Sequence, residues 1–409
     1  MGGVRLSDVV ARAGSPTYAY DLDAIVREAR ELDDAFGPQR HLVCYAVKAN
    51  SAAPIVRALA RLGFGADVVS GPELLVARGC GIEADSIVFS GVAKQDAEID
   101  LAIGAGERGI EALSVESVEE IARIDARAHA LGRVARVSIR INPGLEEAVI
   151  DTHAHITTGH DEAKFGVPKA DLSAALQAVT KARHVELVGI SSHIGSQLTD
   201  TAGYVKSARD LFALAAEIKK SHRLSFVDAG GGFGVDYGQG CPARPADFVR
   251  EACKAMADFG LGDLALYVEP GRALVATHGV LLTRVIQRKV SGARRWLMID
   301  AGMNDLIRPA LYQAHHRIIP LEEVSGEQTR WRVVGPVCES SDDFGEHELP
   351  ASLALELCAL LDAGAYGYTM ASRYNGRALP AEVFLSEGKI VSQTPRAGWS
   401  DWVDDRLKT

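Results

Sequence analysis

Eight short runs rich in β-branched and apolar residues recur through the first two thirds of the chain, with amphipathic segments between them. The runs are LVCYAVKAN (42–50), ADVVSG (66–71), SIVFSG (86–91), ALSVES (112–117), RVSIRIN (136–142), LVGISSHIGS (187–196), FVDAGGG (226–232) and ALYVEPG (265–271). The segments APIVRALARLG, PELLVARG, VEEIARIDARAHALG and YVKSARDLFALAAEIKK carry apolar residues at helical spacing. Near-continuous apolar strands must be covered on their outer face, and alternating helices supply that cover, so the pattern predicts a parallel sheet. Eight such units close into a (β/α)8 barrel. The longest interval, 143–186, is expected to hold an excursion containing THAHITTGHDEAKFGV before its helix.

After about residue 275 the pattern changes. VLLTRVIQRKV, RRWLMID, TRWRVVGP and AEVFLSEGKIV are strand-like, with turn residues between them, and predict a mostly-β domain over 276–409. The opening PTYAYD (16–21) is also strand-like and is expected to complete that domain, which assigns 1–22 to it and leaves 23–275 to the barrel. A chain of 409 residues exceeds the size at which one core stops growing, so two domains are the natural division.

The formal net charge of −10 argues against a general nucleic-acid surface, which needs a concentrated positive field. No stretch of about 18 residues is apolar without charge, and the start lacks the layout of a secretory signal, so no membrane association and a cytoplasmic location are expected. The six cysteines include no C-x-x-C pair and no Cys/His spacing suited to zinc, so reduced thiols and no metal are expected.

In a β/α barrel the chemistry is built where strands end. Lys48 closes the first run, His193 the sixth, the glycines of DAGGGFG the seventh and Glu269 the eighth. A lysine at the end of a buried strand is partly desolvated, which suits Schiff-base formation, although taken alone such a lysine is more often a surface charge. Gly230, Gly231 and Gly232 allow backbone N–H groups to approach an anion, or simply make a tight turn. His193 suits stacking on an aromatic ring or a satisfied place in the core. Glu269 suits holding a pyridine nitrogen protonated, which makes the ring an electron sink, or an ion pair with Arg272. All four fall on one face of one barrel, which a single cofactor site explains more simply than four unrelated roles.

The ordered set YAVKAN, HIGSQ, GGGFG, EPGR, DAGMNDLIRPALY, GPVCES and DAGAYG resembles the fold-type III pyridoxal 5′-phosphate (PLP) decarboxylases, and the DLIRPALY and CES forms resemble their diaminopimelate branch. The similarity runs from SPTYAYD to LPAEVF. It implies a PLP-binding (β/α)8 barrel plus a C-terminal mostly-β domain completed by an N-terminal strand. It also implies that Lys48 binds the cofactor aldehyde covalently, that His193 stacks on the ring face opposite the substrate and that Glu269 bonds the pyridine nitrogen. Ser196, Gly231, Gly232, Gly271, Arg272 and Tyr366 would surround the phosphate, and Asp67 matches the family's acidic residue near the lysine, where a strand-end or helix-start role fits as well. Cys338 would be the proton donor, acting with Glu339 from the neighbouring subunit of a homodimer. SGPEL carries Pro72 where the family usually has Gly, a change that a helix start tolerates.

Loss of CO2 leaves a carbanion whose charge must spread into a cationic ring. A carboxylate at 269 keeps that ring protonated, whereas an arginine there would leave it neutral and favour racemisation. A thiol such as Cys338 suits the reprotonation of Cα. A buried site must pair every charge it encloses. Arg308 and Tyr312, one helical turn apart, together with Arg272 suit a distal carboxylate, while Glu339 suits a distal ammonium, and Tyr366 is expected beside the substrate too. A substrate with both groups is meso-2,6-diaminopimelate, whose product is L-lysine. Arg308 also reads as a brace for an interdomain hinge. The rival readings are a decarboxylase of ornithine, arginine or a carboxylated polyamine or siderophore intermediate, a PLP-binding regulator without turnover, and a sugar-phosphate barrel enzyme.

Overall fold

The computed structural model describes residues 1–142, 164–241 and 243–408. The chain divides into two compact units. One comprises Glu28–Val235 and Cys241–Ala273, the other Met1–Arg27, Asp236–Gly240 and Leu274–Thr409.

The first unit is a closed barrel of eight parallel strands. They are His41–Ala46, Gly65–Val68, Ile87–Phe89, Ala112–Val115, Ala135–Asn142, Val185–Ser191, Phe226–Gly231 and Ala265–Glu269, with the eighth paired to the first through Leu266 and His41. Each apolar run of the sequence supplies one strand, and several strands stop a few residues before their run does. The first ends at Ala46, and Lys48 stands in the 3-10 turn Val47–Ala49 that follows. The fifth strand shows how alternation builds the wall. Val137, Ile139 and Ile141 are fully or nearly fully buried on one face, while Arg136, Ser138, Arg140 and Asn142 occupy the other. Pro72 falls in the first turn of the helix Gly71–Gly79, where its missing N–H costs nothing, and Ser70 caps that helix by accepting from the Glu73 N–H at 3.3 Å. THAHITTGHDEAKFGV lies largely outside the described residues; its last residue begins Val167–Pro168, a short strand beside the fifth barrel strand.

The second unit is a mostly-β structure in which the order along the sheet is Asp343–Pro350, Gln328–Val334, Arg294–Ile299, Gly279–Ser291, Thr17–Asp21, Ala381–Ser386 and Lys389–Thr394. Leu357–Leu360 also pairs with Gly279–Ser291, and Ile318–Pro320 with Leu357–Leu360. The N-terminal strand Thr17–Asp21 is inserted between Gly279–Ser291, antiparallel, and Ala381–Ser386, parallel. Every residue of it is buried. Ala19 packs in a cluster with Val9, Val10, Val280, Leu282, Val383 and Leu385. On the other face Tyr20 stacks on Phe384 at 5.1 Å and donates to Glu382 Oε1 at 3.2 Å.

Burial pushes the Glu382 carboxyl up to about 7 from its ordinary 4.5. The folded-state value is raised, so the stability it confers is fully present below about pH 4.5 and is lost as pH rises through about 7. The difference is about 3 kcal/mol at most. Glu382→Gln keeps the acceptor for Tyr20 and removes the titration, so it is expected to stabilise this unit by up to about 3 kcal/mol at pH 8 and by almost nothing at pH 4. All four tryptophans lie in this unit, at 296, 331, 399 and 402, so denaturant titrations followed by their fluorescence report on it. An equal effect at both pH values would show that Glu382 does not titrate between the folded and unfolded states.

Candidate active site

In the barrel unit Cys44, Val88, Ala112, Val188, Phe226, Ala265 and Tyr267 form an apolar layer, with the Phe226 and Tyr267 rings stacked at 4.2 Å. Side chains two residues further along a strand face the same way. Ser90, Asp228 and Glu269 therefore stand over that layer at the carboxyl ends of the strands.

Glu269, the last residue of its strand, is 9% exposed and accepts from Ser90 Oγ at 3.4 Å. Burial, reinforced by the charges of Asp228 and Asp67, pushes its carboxyl well above the usual range. Asp228 is buried and accepts from the Gly230 N–H at 2.8 Å; burial raises it to about 6. Lys48 donates through Nζ to Asp67, which is fully buried one residue before the end of the second strand. The other oxygen of that carboxyl, Oδ1, has no hydrogen-bond partner among the described residues.

His193 follows the sixth strand, and its Nδ1 accepts from the Gly231 N–H at 3.2 Å. Burial, then the positive charges of Arg140 and Lys48, hold its pKa well below the usual imidazole value. The ring is thus neutral with its proton on Nε2, and the 3.9 Å separation of Nδ1 from Glu269 Oε2 is proximity rather than an ion pair. A Cβ on Gly231 would lie 2.0 Å from the Glu269 carbonyl oxygen, and one on Gly271 would lie 2.9 Å from Ala49 Cβ. These two glycines let the seventh and eighth strand ends close on each other and on the lysine turn. The close approach that the sequence assigns to an anion is, at Gly231, an approach to the protein's own backbone. Arg272 Nη2 donates to Ser196 Oγ at 3.0 Å, joining EPGR to HIGSQ.

Lys48, Asp67, His193, Ser196, Gly231, Gly232, Glu269, Gly271 and Arg272 all belong to the barrel unit; Arg308, Tyr312, Cys338, Glu339 and Tyr366 all belong to the β unit. Arg308 opens the short helix Arg308–Tyr312, is 4% exposed, lies 4.7 Å over the Tyr237 ring and donates to His316 Nε2 at 2.8 Å. His316 in turn donates from Nδ1 to the Leu361 carbonyl at 2.9 Å, which fixes its tautomer and the direction of the guanidinium. Tyr312 is half-buried. Tyr366 is half-buried at a left-handed φ of 56°, in the turn that follows Leu357–Leu360. Cys338 and Glu339 are exposed on a loop that is nonetheless tightly held. The Cys338 N–H donates to Asn375 Oδ1 at 2.8 Å, the Tyr374 hydroxyl donates to Glu339, and Asp342 Oδ2 accepts from the Val337 N–H at 2.6 Å.

Comparison with known proteins agrees with this geometry. The profile described as "Pyridoxal-dependent decarboxylase, pyridoxal binding domain" matches residues 22–276. The chain belongs to the pyridoxal-dependent decarboxylase family. Diaminopimelate decarboxylase of Zymomonas mobilis is 37% identical, over 99% of this chain and 96% of the relative. Diaminopimelate decarboxylase from Helicobacter pylori, solved in complex with L-lysine, superposes with a TM-score of 0.90 at 36% identity, covering 98% of this chain and 99% of that one. The enzyme from M. jannaschii, also in complex with L-lysine, gives a TM-score of 0.91 at 34% identity, with 98% and 94% covered.

The cofactor of this pyridoxal-dependent decarboxylase is PLP, and the barrel unit fits it. PLP presents an aldehyde, a phosphate and a pyridine. The unit offers the Lys48 amine, the Arg272–Ser196 cation and hydroxyl, and the buried Glu269 acid, which a protonated ring nitrogen would relieve. The orphaned Asp67 Oδ1 leaves further acceptor capacity at the same mouth. Several side chains at these places are not evident from motif reading. Asp228 and Arg140 carry a weak signal, a charge at every second position of an otherwise apolar strand. Tyr374 and Asn375 carry none, because their links to Glu339 and to the Cys338 N–H span more than 30 residues of chain and exist only in three dimensions.

Proposed function

We propose that this protein decarboxylates meso-2,6-diaminopimelate to L-lysine and CO2. The observation that carries the proposal is similarity along nearly the whole chain to diaminopimelate decarboxylases, two of them solved with L-lysine, the molecule this reaction would release. When bound, PLP delocalises the electron pair that CO2 leaves at Cα. Lys48 holds the cofactor aldehyde, with Asp67 beside it. Arg272, Ser196, Gly231, Gly232, Gly271 and Tyr366 serve the phosphate, and neutral His193 backs the ring without adding charge to it. Glu269 keeps the ring nitrogen protonated. Cys338 delivers a proton from Sγ to Cα.

Substrate choice rests on charge. Arg308 with Tyr312 and Arg272 would pair the distal carboxylate, and Glu339 the distal ammonium; Tyr366 reaches the substrate as well. Ornithine, arginine and lysine bring no distal carboxylate and would leave the guanidinium without a substrate charge to pair. The working form is a homodimer in which Cys338 and Glu339 serve the neighbouring chain. Its place is the cytoplasm, in keeping with the absence, among the described residues, of any helix long and apolar enough to cross a membrane.

The test is CO2 release from meso-diaminopimelate, L-lysine, L-ornithine and L-arginine by the PLP-loaded protein. A kcat/KM at least about 10³-fold higher for meso-diaminopimelate is expected, and Arg308→Met should erase most of that preference. Release from ornithine or arginine alone would defeat the substrate assignment while leaving the family intact.

A further inference from the structure

One short turn of the β unit, Tyr374–Gly376, fastens the loop that carries Cys338 and Glu339. The turn closes on itself, with the Gly376 N–H donating to the Arg373 carbonyl at 3.0 Å and the Arg377 N–H to the Tyr374 carbonyl at 3.2 Å. Three side chains at the turn reach the loop one for one, in antiparallel order. Arg377 Nη2 donates to the Pro336 carbonyl at 2.8 Å, Asn375 Oδ1 accepts from the Cys338 N–H at 2.8 Å, and the Tyr374 hydroxyl donates to Glu339 Oε1. The loop's own bonds, from the Glu339 N–H to the Val337 carbonyl at 2.8 Å and from the Asp342 N–H to the Glu339 carbonyl at 3.2 Å, bend it but leave the Cys338 N–H and the Glu339 side chain to the turn.

Asn375 accepts from a left-handed backbone, at φ 54° and ψ 25°. Asparagine enters that region more readily than other residues with a Cβ, and its short amide brings an acceptor with it. Gly376 follows at φ 70°, where a Cβ would lie 3.2 Å from the Trp402 ring, so the indole of the helix Trp399–Leu407 packs directly against the turn.

We propose that Asn375 and Tyr374 are positioning residues for the reaction. Asn375 sets the backbone from which the Cys338 thiol points, and Tyr374 holds one oxygen of Glu339 so that the other is presented to the distal ammonium. This rests on the proposed roles of Cys338 and Glu339. Each residue acts through the group it holds: the proton still passes from Sγ to Cα, and the turn fixes where it starts. A misplacement of about 1 Å can cost about 10²-fold in rate, which an exposed loop risks unless it is held. The bond to Glu339 has a charged acceptor, which makes it the stronger kind.

Asn375→Gly tests the first role, because glycine keeps the left-handed backbone and lacks the acceptor. In the cofactor-free protein its Cys338 amide hydrogen should exchange about tenfold faster than in wild type, whereas Asn375→Asp, which keeps an acceptor on the same backbone, should stay within about threefold. In the holoenzyme Asn375→Gly should lower kcat about tenfold or more at nearly constant KM. Its solvent isotope effect on kcat should rise as proton delivery becomes the slow step. Tyr374→Phe should instead raise KM for meso-diaminopimelate about tenfold at nearly constant kcat. Both losses should vanish once the held group is gone, so Asn375→Gly adds nothing to Cys338→Ala and Tyr374→Phe adds nothing to Glu339→Gln. A turn with only a structural role gives losses that add in the double variants and an isotope effect that does not move, and either result overturns the proposal. The single variants of the held groups separate the two readings. Cys338→Ala and Glu339→Gln as active as wild type would mean that the roles of those two residues are wrong. If both are impaired while Asn375→Gly and Tyr374→Phe are not, only the roles of the turn are wrong.

Discussion

Replacing Lys48 by alanine is expected to lower turnover by about 10³-fold or more and to destabilise the barrel unit at the same time. The first effect follows from the proposed covalent bond: without the amine, PLP is held only by its ring and phosphate contacts, and borohydride reduction should leave no label on the chain. The second follows from Asp67. That carboxyl is fully buried and paired with Lys48, and its second oxygen already lacks a partner among the described residues. Breaking a buried pair costs roughly 3–5 kcal/mol; the Lys48 side chain is 35% exposed, so about 2–3 kcal/mol is the fitting figure here. Adding Asp67→Asn to Lys48→Ala removes the stranded charge and should recover most of that stability and none of the turnover. Calorimetry of the two variants decides the matter. A double variant no more stable than Lys48→Ala would mean that the pair does not hold the mouth together.

The coupling of one residue to chemistry and to stability explains why part of this site can be read from sequence. Lys48, His193, the glycines and Glu269 stand at strand ends because an apolar run must end where the chain leaves the sheet, and a barrel collects those ends on one face. The runs are legible because each barrel strand contributes one face to the interior and the other to the helices, leaving few polar interruptions. Asp67 escapes this logic. It is buried within its strand, and its partner in the lysine turn comes from the neighbouring strand, so nothing local to ADVVSG announces the contact. Asp228 is similar, buried in the strand that neighbours that of Glu269, about 40 residues on.

The β unit is less legible for a different reason. Asp343–Pro350 is a strand at the end of the sheet order, with four acidic or basic-capable side chains in DFGEHELP, and nothing apolar marks it. Charges at such an edge discourage unwanted pairing, so the feature that hides the strand is also one that serves it. Leu357–Leu360 hides in ELCALLDAG, whose leucines and alanines favour a helix on propensity alone; pairing with Gly279–Ser291 and Ile318–Pro320 overrides that preference. Thr17–Asp21 is legible as a strand from its alternating tyrosines. Its pairing with strands more than 250 residues away is a matter of topology, which the change of pattern after residue 275 only suggests.

Mixing Lys48→Ala chains with Cys338→Ala chains should restore activity that neither has alone. Lys48→Ala is expected to fall by about 10³-fold or more for lack of the amine, and Cys338→Ala by about 10²–10⁴-fold for lack of the acid that reprotonates Cα. In a twofold homodimer with shared sites, a mixed pair builds one site from two damaged halves and one from two intact ones. Equal mixing with random exchange makes about half the dimers mixed, each with one intact site, so recovery should approach about a quarter of the wild-type rate. The loop itself favours such sharing. Cys338 and Glu339 are exposed on their own chain, yet Asn375, Tyr374 and Asp342 fix the loop through three separate bonds. A thiol free to wander would not need that bracing, whereas one presented to a neighbouring surface has to be held in place before the surface arrives. Sites contained within a single chain predict no recovery at all, even with mixed dimers demonstrated by native mass spectrometry, and that outcome would return Cys338 to the chain that carries it.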